Sequence, residues 1–416
     1  MDVVATPSDR QAALSLLNAQ AVRERAEEIL ELGLEHRLDH FRVAASQLDT
    51  SAEVVAAVIR DRYPTLAVPF HARWRQFVVL GQDAWHEAAA KRSWPNRAAR
   101  ARAEFDLAIV SVLLDAGAGP LWCYRDAATA AVVGRSEGLA LASLRMFEAG
   151  AFSAVAGDPL RADAVRLAAI DATAVSAGFG VSEFNPLVGL DERAALIARL
   201  GAVVMSNPAI FAREDAARPG GLFDYLVSQC EDARLSATKV LEQVLIHLGP
   251  IWSGRLSLGG VPLGDTWRHP AIRRADPTDG LVPFHKLSQW LVYSLIEPLM
   301  RAGIHVTDLD GLTGLAEYRN GGLFVDTGVI AAREPTSAAG LHATHSPLVV
   351  EWRALTVGLL DRIAPLVRDR LGLTAAAFPL ARVLEGGTWA AGRWLARQRR
   401  ADGRPPIQVI SDGTVF

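Results

Sequence analysis

A fifteen-residue segment, DLDGLTGLAEYRNGG at positions 308–322, contains the densest group of side chains capable of chemistry. Its reactive side chains are Asp308, Asp310, Glu317, Tyr318, Arg319 and Asn320. A carboxylate in a partly apolar pocket can activate water or stabilise a developing cation at a sugar carbon. Neighbouring acids also push each other's pKa values apart, which separates acid roles from base roles. A solvated surface turn would also explain acids beside glycines.

The sequence before this segment, FHKLSQWLVYSLIEPLM, predicts a helix with one polar stripe. Lys286, Gln289, Tyr293 and Glu297 follow each other at spacings of three and four residues, so they share a face. A helix that is apolar on its remaining circumference is buried. We therefore expect the stripe to face a cavity or a narrow groove near the carboxylates. An ordinary exposed stripe is the alternative.

Two arginines and one acid elsewhere have the chemistry of ligand contacts. Arg73 lies in VPFHARWRQF, where it could meet an anion or a sugar, or be solvated in a surface loop. Asp115 follows a helix predicted over 97–114, and an acid is disfavoured at that pole, so it indicates either a pocket or a turn hydrogen bond. Arg135 precedes a helix predicted over 136–148, whose N-terminus could bind an anion or simply be capped.

The stretch from 251 to 282 lacks helical periodicity and is rich in Gly, Pro, Trp, Arg and Asp. Long irregular segments in a compact protein are usually functional or flexible. Its apolar residues, among them Trp267, indicate that it packs down as an ordered lid. Asp265 and His269 are among its polar members.

Most of the remaining chain has helical periodicity. Further predicted helices cover 11–36, a segment opened by Ser51, 190–205, 236–248 and LVVEWRALTVGLLDRIAPLV. We therefore expect a mainly α fold, a compact multi-helix globule with few short strands. It would be one domain over 10–416, with an N-terminal helical half of about 10–235 and a C-terminal catalytic half of about 236–416.

Composition excludes several classes of protein. The 416 residues are 50% hydrophobic and 21% charged with a net charge of −3, which is globular and lacks the basic footprint of a nucleic-acid binder. No signal peptide and no apolar run of membrane-spanning length, about 18 residues, is evident. Two distant cysteines suit a reducing compartment, so we expect a cytoplasmic protein. His342 and His345 lack partners, and a metal site is not favoured.

Several long runs carry a family resemblance over nearly the full length of the chain, among them FDLAIVSVLLDAGAGPLW, LGPIWSGRLSLGGVPLGDTWRHP, TDLDGLTGLAEYRNGGLFVD, LEGGTWAAGR and SDGTVF. By these runs the chain resembles the uracil-catabolism protein four family. A second resemblance is to the queuosine salvage N-glycosylases, distant relatives of helix-hairpin-helix DNA glycosylases. Those proteins place an aromatic-Lys-Arg-x-Gln helix before a D-x-D-x-L-T-x-F-A-D-Y-R-V-P-Q segment. Here the helix reads FHKLSQ, and the segment reads DLDGLTGLAEYRNGG and aligns without a gap.

This second resemblance implies roles for individual residues. Glu317 stands where those glycosylases have their catalytic Asp, and Lys286, Asp308 and Asp310 match directly. Asn320-Gly-Gly replaces Val-Pro-Gln and His285 precedes Lys286, changes that fit a different leaving group or a changed reaction. From the residues and the resemblance together, we expect a small ribosyl substrate to contact Lys286, Tyr318, Arg319, Asn320, Tyr293, His285, Arg73, Arg135, Asp115 and Trp267.

The implied activity is hydrolysis of the N-glycosidic bond of a ribosylurea-like nucleoside or its 5′-phosphate in uracil catabolism. Glu317 would orient water or stabilise the oxocarbenium-like transition state, while Asp308 and Asp310 hold the ribose hydroxyls or the ureide. Lys286, Arg73 and Arg135 are the residues implied for a phosphate. No metal or organic cofactor is implied, and the chain would be a monomer or homodimer. Hydrolysis of a ureido or amide C–N bond, and non-catalytic binding of an intermediate, are the alternatives.

Overall fold

The computed structural model describes residues 7–213, 216–252, 254–334, 336 and 340–410. The resemblance run SDGTVF, at 411–416, lies outside these residues. No described helix is both long enough and apolar enough to cross a membrane.

Helices dominate the structure, which confirms the prediction of a mainly α fold with only short strands. The α-helices are α1 (Pro7–Ser15), α2 (Ala19–Leu34), α3 (Leu48–Arg62), α4 (Ala84–Ala90), α5 (Arg97–Leu113), α6 (Arg135–Glu148), α7 (Ala164–Ala168), α8 (Ala172–Gly178), α9 (Leu190–Ser206), α10 (Pro208–Phe211), α11 (Gly221–Ser228), α12 (Ala237–Leu248), α13 (Lys286–Arg301), α14 (Tyr318–Asp326), α15 (Pro347–Leu371), α16 (Leu380–Val383) and α17 (Trp389–Arg399). Short 3-10 turns cover Ala45–Gln47, Arg73–Phe77, Gly249–Ile251 and Leu309–Gly311, and a π-helical turn covers Leu384–Thr388.

The strands are two or three residues long and occur in pairs. They are β1 (Phe41–Val43), β2 (Val78–Val79), β3 (Gln82–Asp83), β4 (Cys123–Arg125), β5 (Val132–Gly134), β6 (Arg234–Ser236), β7 (Ser257–Leu258), β8 (Val261–Pro262), β9 (Thr266–Arg268), β10 (Leu281–Pro283), β11 (His305–Thr307), β12 (Ile330–Ala332), β13 (Leu341–His342) and β14 (Gln408–Val409). Pairs β6–β11 and β13–β14 are parallel, whereas β1–β12, β2–β3, β4–β5, β7–β8 and β9–β10 are antiparallel.

Two of the predicted helix starts are wrong. The helix expected over 11–36 is two helices, because the Asn18 side chain accepts the N–H of Ala21 at 2.8 Å and starts α2 afresh. Ser51 does not cap a helix. It lies inside α3, where its hydroxyl bonds the carbonyl of Gln47, four residues earlier, and the hydroxyl of Thr327.

The described residues group into two compact units. The first unit takes its described residues from 7–71, 254–289 and 308–410, and the second from 72–252 and 290–307. No boundary between them falls near residue 235. The single-domain organisation and its two halves stay a prediction.

Helix α15 is the centre of the first unit and is buried along most of its 25 residues. It packs against α2 where glycines permit close approach. A Cβ on Gly358 would lie 2.9 Å from the Leu30 side chain, and one on Gly33 would lie 3.3 Å from Leu355. Helix α14 packs against α17 in the same way, because a Cβ on Gly392 would clash with the backbone of Arg319. The last of these contacts fixes the first turn of α14 against α17.

Candidate active site

Glu317 is the buried acid of the segment that the sequence singles out. It is the residue before α14, with extended backbone, and its side chain turns back onto the start of that helix. One carboxylate oxygen, Oε2, accepts the N–H of Arg319 at 2.7 Å, and the other, Oε1, accepts the N–H of Asn320. Only 8% of the residue is exposed. A carboxylate held through both oxygens keeps one orientation, and each oxygen retains a lone pair for a ligand.

Burial raises the pKa of Glu317 above its ordinary value. The two N–H groups and the positive charges of Lys286 and Arg319 oppose this shift without cancelling it. The carboxyl therefore titrates closer to neutral pH than an exposed glutamate, which suits a group that must take up and release a proton.

Asp265 and Arg353 form a buried ion pair in the same unit. Both guanidinium N–H groups of Arg353 donate to Asp265, at 2.8 and 2.7 Å. Asp265 also accepts the indole N–H of Trp267 at 2.7 Å and the backbone N–H of Lys286 at 3.0 Å. Burial alone would raise the pKa of Asp265, but the charge and hydrogen bonds of Arg353 hold it well below its usual range. Asp265 is thus a permanent anion that fixes the start of α13.

Arg353 connects this ion pair to the segment that carries Glu317. Its Nε donates to the carbonyl of Ala316 at 3.3 Å, one residue before Glu317. Its guanidinium carbon lies 4.1 Å from the ring centroid of Phe284, a cation–π stack in a buried setting. The Arg353 side chain therefore connects its own helix α15 with three other stretches of chain, at Asp265, Phe284 and Ala316.

His285 and Lys286 form the turn into α13. His285 has a positive φ of 48°, an uncommon conformation for a residue with a side chain, and its Nε2 contacts the carbonyl of Leu16 at 2.8 Å. Burial lowers the pKa of His285, so the ring is neutral at physiological pH. Lys286 is half-buried, and its charge is one of those that act on Glu317.

Trp267 lies on the hairpin formed by β9 and β10. Its ring stacks on His345, with centroids 6.4 Å apart and planes inclined by 27°, and the Arg255 guanidinium lies 5.9 Å from its centroid. The described part of the stretch from 251 to 282 thus contributes two short hairpins, and its apolar residues, among them Leu263, pack against Ala13 and Leu16. Whether it acts as a lid stays a prediction.

The other two acids of the segment have surroundings different from those of Glu317. Asp308 is exposed, with a positive φ of 55°. Asp310 accepts a hydrogen bond from Arg368 at 2.6 Å and caps α16 by accepting the N–H of Leu380 at 2.6 Å. Asp310 therefore ties α15 to α16.

The three residues after Glu317 differ in their surroundings. Tyr318 is half-buried, and the Arg319 guanidinium lies 5.1 Å from its ring centroid while donating to the carbonyl of Gly403 at 3.0 Å. Asn320 is buried, and its amide Nδ2 donates to the carbonyl of Leu315 at 3.1 Å.

Arg73, Asp115 and Arg135 belong to the second unit. Arg73 is fully buried and donates to Ser111 at 2.7 Å, to Asp115 at 2.6 Å and to Gln76. Asp115 also accepts the hydroxyl hydrogen of Ser136 at 2.8 Å. Arg135, the first residue of α6, is exposed and has a positive φ of 57°.

The polar stripe of α13 is not a uniform surface. Gln289 is buried and exchanges two hydrogen bonds with Thr313, at 2.6 and 2.9 Å. Tyr293 is fully buried, and Glu297 pairs with Arg75 at 2.8 Å. Two of the four stripe residues, Gln289 and Glu297, therefore make contacts within the protein through their polar groups.

Residues 15–416 match the family described as "Protein of unknown function (DUF1688)". The chain belongs to this family. Protein urg3 of Schizosaccharomyces pombe is 36% identical over 418 residues, covering 98% of this chain and 99% of that protein. Uracil catabolism protein 4 of Lachancea kluyveri is 37% identical over 412 residues, covering 91% of this chain and 92% of that protein.

Two residues of the site in this DUF1688 protein were not predicted as site residues. Asp265 is visible in the sequence only as one polar member of an irregular stretch. Arg353 carries a clearer signal, because it and Glu351 are charged residues among apolar neighbours in the buried first half of α15. Charged residues in a buried helix are almost always paired. The missing information was the partner, which lies 88 positions away in the chain.

Proposed function

We propose that the protein is a hydrolase of uracil catabolism that cleaves the N-glycosidic bond of a ribosylurea-like nucleoside or its 5′-phosphate. The observation that carries the proposal is Glu317, a buried carboxyl with a raised pKa, oriented by two backbone N–H groups beside Lys286 and the Asp265–Arg353 pair. A carboxyl of this kind can orient water and transfer protons in cleavage at a sugar carbon.

The name of one relative supports the pathway. One relative that aligns with 91% of this chain is named Uracil catabolism protein 4. Breakdown of uracil that remains attached to ribose would leave a ureido nitrogen on C1′, which is the bond that the proposed reaction cleaves. The match of DLDGLTGLAEYRNGG to a glycosylase segment is consistent with this chemistry.

In the proposed reaction the C1′–N bond breaks as positive charge develops at C1′. Water, held by the free lone pair of a Glu317 oxygen, adds its oxygen to C1′. Its proton passes through Glu317 to the departing ureido nitrogen, so the products are urea and ribose or ribose 5-phosphate. The ionised carboxylate also stabilises the developing cation, since an anion in a low-dielectric site acts strongly on a nearby charge.

Lys286 is the residue that we assign to a phosphate, where the substrate carries one. It is half-buried at the start of α13, and its positive charge acts to lower the pKa of Glu317. Arg73 suits this role less well, because its guanidinium is engaged with Ser111, Asp115 and Gln76. Trp267 provides an aromatic surface next to Asp265 on which the planar ureido group can lie.

Synthetic ribosylurea, with and without the 5′-phosphate, tests the proposal. The purified protein should release urea and reducing sugar in equal amounts from at least one of the two compounds. Release of urea without free sugar would show attack at the ureido carbonyl instead. Tight binding without any product would indicate a binding protein. Either result contradicts the proposal.

A further inference from the structure

Two buried hydrogen-bond acceptors beside the site have no donor in the described part of the chain. They are the amide oxygen Oδ1 of Asn320 and the ring nitrogen Nδ1 of His285. Each residue is 1% exposed. Buried polar atoms in native proteins are nearly always paired, so an unpaired one points to a partner outside the chain.

The orientation of Asn320 follows from its neighbour. Its amide contacts the carbonyl oxygen of Leu315 at 3.1 Å, and a carbonyl oxygen can only accept. The atom facing Leu315 is therefore the NH₂ group, and the opposite atom must be the oxygen. The backbone N–H of the same residue donates to Glu317, so this acceptor belongs to the turn that holds the proposed catalytic carboxyl.

The same reasoning applies to His285. Its Nε2 faces the carbonyl oxygen of Leu16 at 2.8 Å and must carry the proton. Because burial keeps the ring neutral, Nδ1 is a bare acceptor. The backbone N–H of His285 donates to the Asp265 carbonyl at 3.3 Å, which fixes the residue against the anion that binds Arg353. The positive φ of His285 shows that packing holds the ring there against local preference.

We propose that Asn320 Oδ1 and His285 Nδ1 accept hydrogen bonds from N–H and O–H groups of the substrate, so that the site selects a ligand with a terminal ureido NH₂. The inference rests on the proposed function and specifies which end of the substrate is recognised. A site whose buried acceptors need donors discriminates strongly against an analogue that lacks them.

A pair of uncleavable ligands tests the inference apart from catalysis. In carbocyclic ribosylurea a cyclopentane replaces the sugar ring, so no oxocarbenium ion can form. Its acetamide analogue replaces the terminal NH₂ by CH₃ at nearly equal size. Calorimetric titration of the wild-type protein should give a Kd about 10- to 100-fold higher for the acetamide.

Two variants then locate the acceptors. His285→Gln keeps an N–H donor for Leu16 and removes the Nδ1 acceptor, and Asn320→Leu keeps the volume and removes the amide. The ratio of the two Kd values should fall towards one in at least one variant. Asn185→Leu is the matched control, because the Asn185 oxygen already accepts the N–H of Cys123. That variant should keep the wild-type ratio even if its stability falls.

The possible outcomes separate the two claims. A wild-type ratio near one, a ratio unchanged in both variants, or failure of both ligands to bind overturns the inference. A large ratio that collapses in a variant, together with no hydrolysis of ribosylurea itself, supports the inference and rejects the glycosidase proposal.

Discussion

At the scale of single residues, two buried carboxyls of the first unit have opposite electrostatic settings. Asp265 faces a guanidinium through two hydrogen bonds, which holds its pKa well below its usual range against the effect of burial. Two backbone N–H groups bind Glu317 and the charges of Lys286 and Arg319 act on it, but burial has the larger effect and raises its pKa. The first is suited to permanent anchoring and the second to proton transfer.

Replacement of Glu317 tests its role directly. Glu317→Gln should lower kcat on the ribosylurea substrate by about 100- to 10,000-fold, the usual contribution of a general acid–base group. Glu317→Asp keeps the charge but withdraws it by one methylene, so it should retain more activity than the Gln variant. Initial rates of sugar release measure both. Full activity of the Gln variant would remove Glu317 from the chemistry.

The raised pKa of Glu317 also predicts how stability depends on pH. A carboxyl whose folded-state pKa lies above its unfolded value, near 4.5, contributes stability below that pH and loses it as pH rises through the folded pKa. Glu317→Gln has no such loss. Its Tm relative to wild type should therefore increase between pH 4.5 and pH 8, by an amount that thermal unfolding at several pH values measures. A difference in Tm that does not change with pH would contradict the raised pKa of Glu317.

The Asp265–Arg353 pair should be structurally essential. Asp265→Asn leaves Arg353 buried beside a neutral amide, and breaking a buried pair in this way costs about 3–5 kcal/mol of unfolding free energy. The double variant Asp265→Asn, Arg353→Met removes the stranded charge and should recover part of that loss. Urea denaturation of the three proteins measures it. Equal stability of the single variant and wild type would show that the pair is dispensable.

At the scale of elements, glycines set the distances between helices around the site. In α14, Gly321 faces the indole of Trp352 on α15, and a Cβ there would lie 2.6 Å from the ring. Its neighbour Gly322 faces Pro406, where a Cβ would lie 3.1 Å away. A side chain at Gly321 would therefore clash with Trp352, whereas one at Gly322 would make only a tight contact with Pro406. Because the two glycines are adjacent in one helix, substituting each in turn is a matched experiment.

Gly321→Ala should destabilise the protein by about 1–3 kcal/mol, because Trp352 is buried and cannot move aside without strain. Gly322→Ala should be close to neutral, since the tighter contact is offset by the gain in helix propensity, about 0.5–1 kcal/mol. Denaturation midpoints of the two variants provide the comparison. Equal effects would show that α14 is not wedged against Trp352.

At the scale of the whole molecule, the first unit is assembled from three separate stretches of chain. Helix α15 packs on α2 and α3, which lie more than two hundred residues earlier. The contacts include the ion pair between Arg23 and Asp361 at 2.7 Å and the close approach of Gly358 to Leu30. The candidate active site therefore depends on residues from both ends of the sequence.

A fragment covering 236–416, the predicted C-terminal half, should not fold by itself. It lacks α2 and α3, so the apolar face of α15 would be exposed to water. Circular dichroism on heating should show no cooperative transition, and co-expression with 1–235 should restore one. Cooperative unfolding of the isolated fragment would support the sequence-based division instead.

Apolar periodicity and end signals in the sequence were enough to locate some of the helices. The helix over 97–114 and the helix over 236–248 were predicted to within a residue at each end. They have strong apolar periodicity and clear termini, so the local pattern is enough to locate them. The helix over 11–36 failed because the Asn18 cap competes with a continuous pattern, which periodicity alone cannot detect.

The sequence by itself determined the helical class, the family, and the segment at 308–322 as the place to look for a carboxyl. The glycosylase resemblance already gave Glu317 a role different from those of Asp308 and Asp310. Only the tertiary structure showed how their surroundings differ, by burying Glu317 while leaving Asp308 exposed and tying Asp310 to Arg368. It also brought Asp265 and Arg353 to the same place. The physical reason is that the pKa of a carboxyl depends on burial and on charges nearby in space, and these come from residues far apart in the chain.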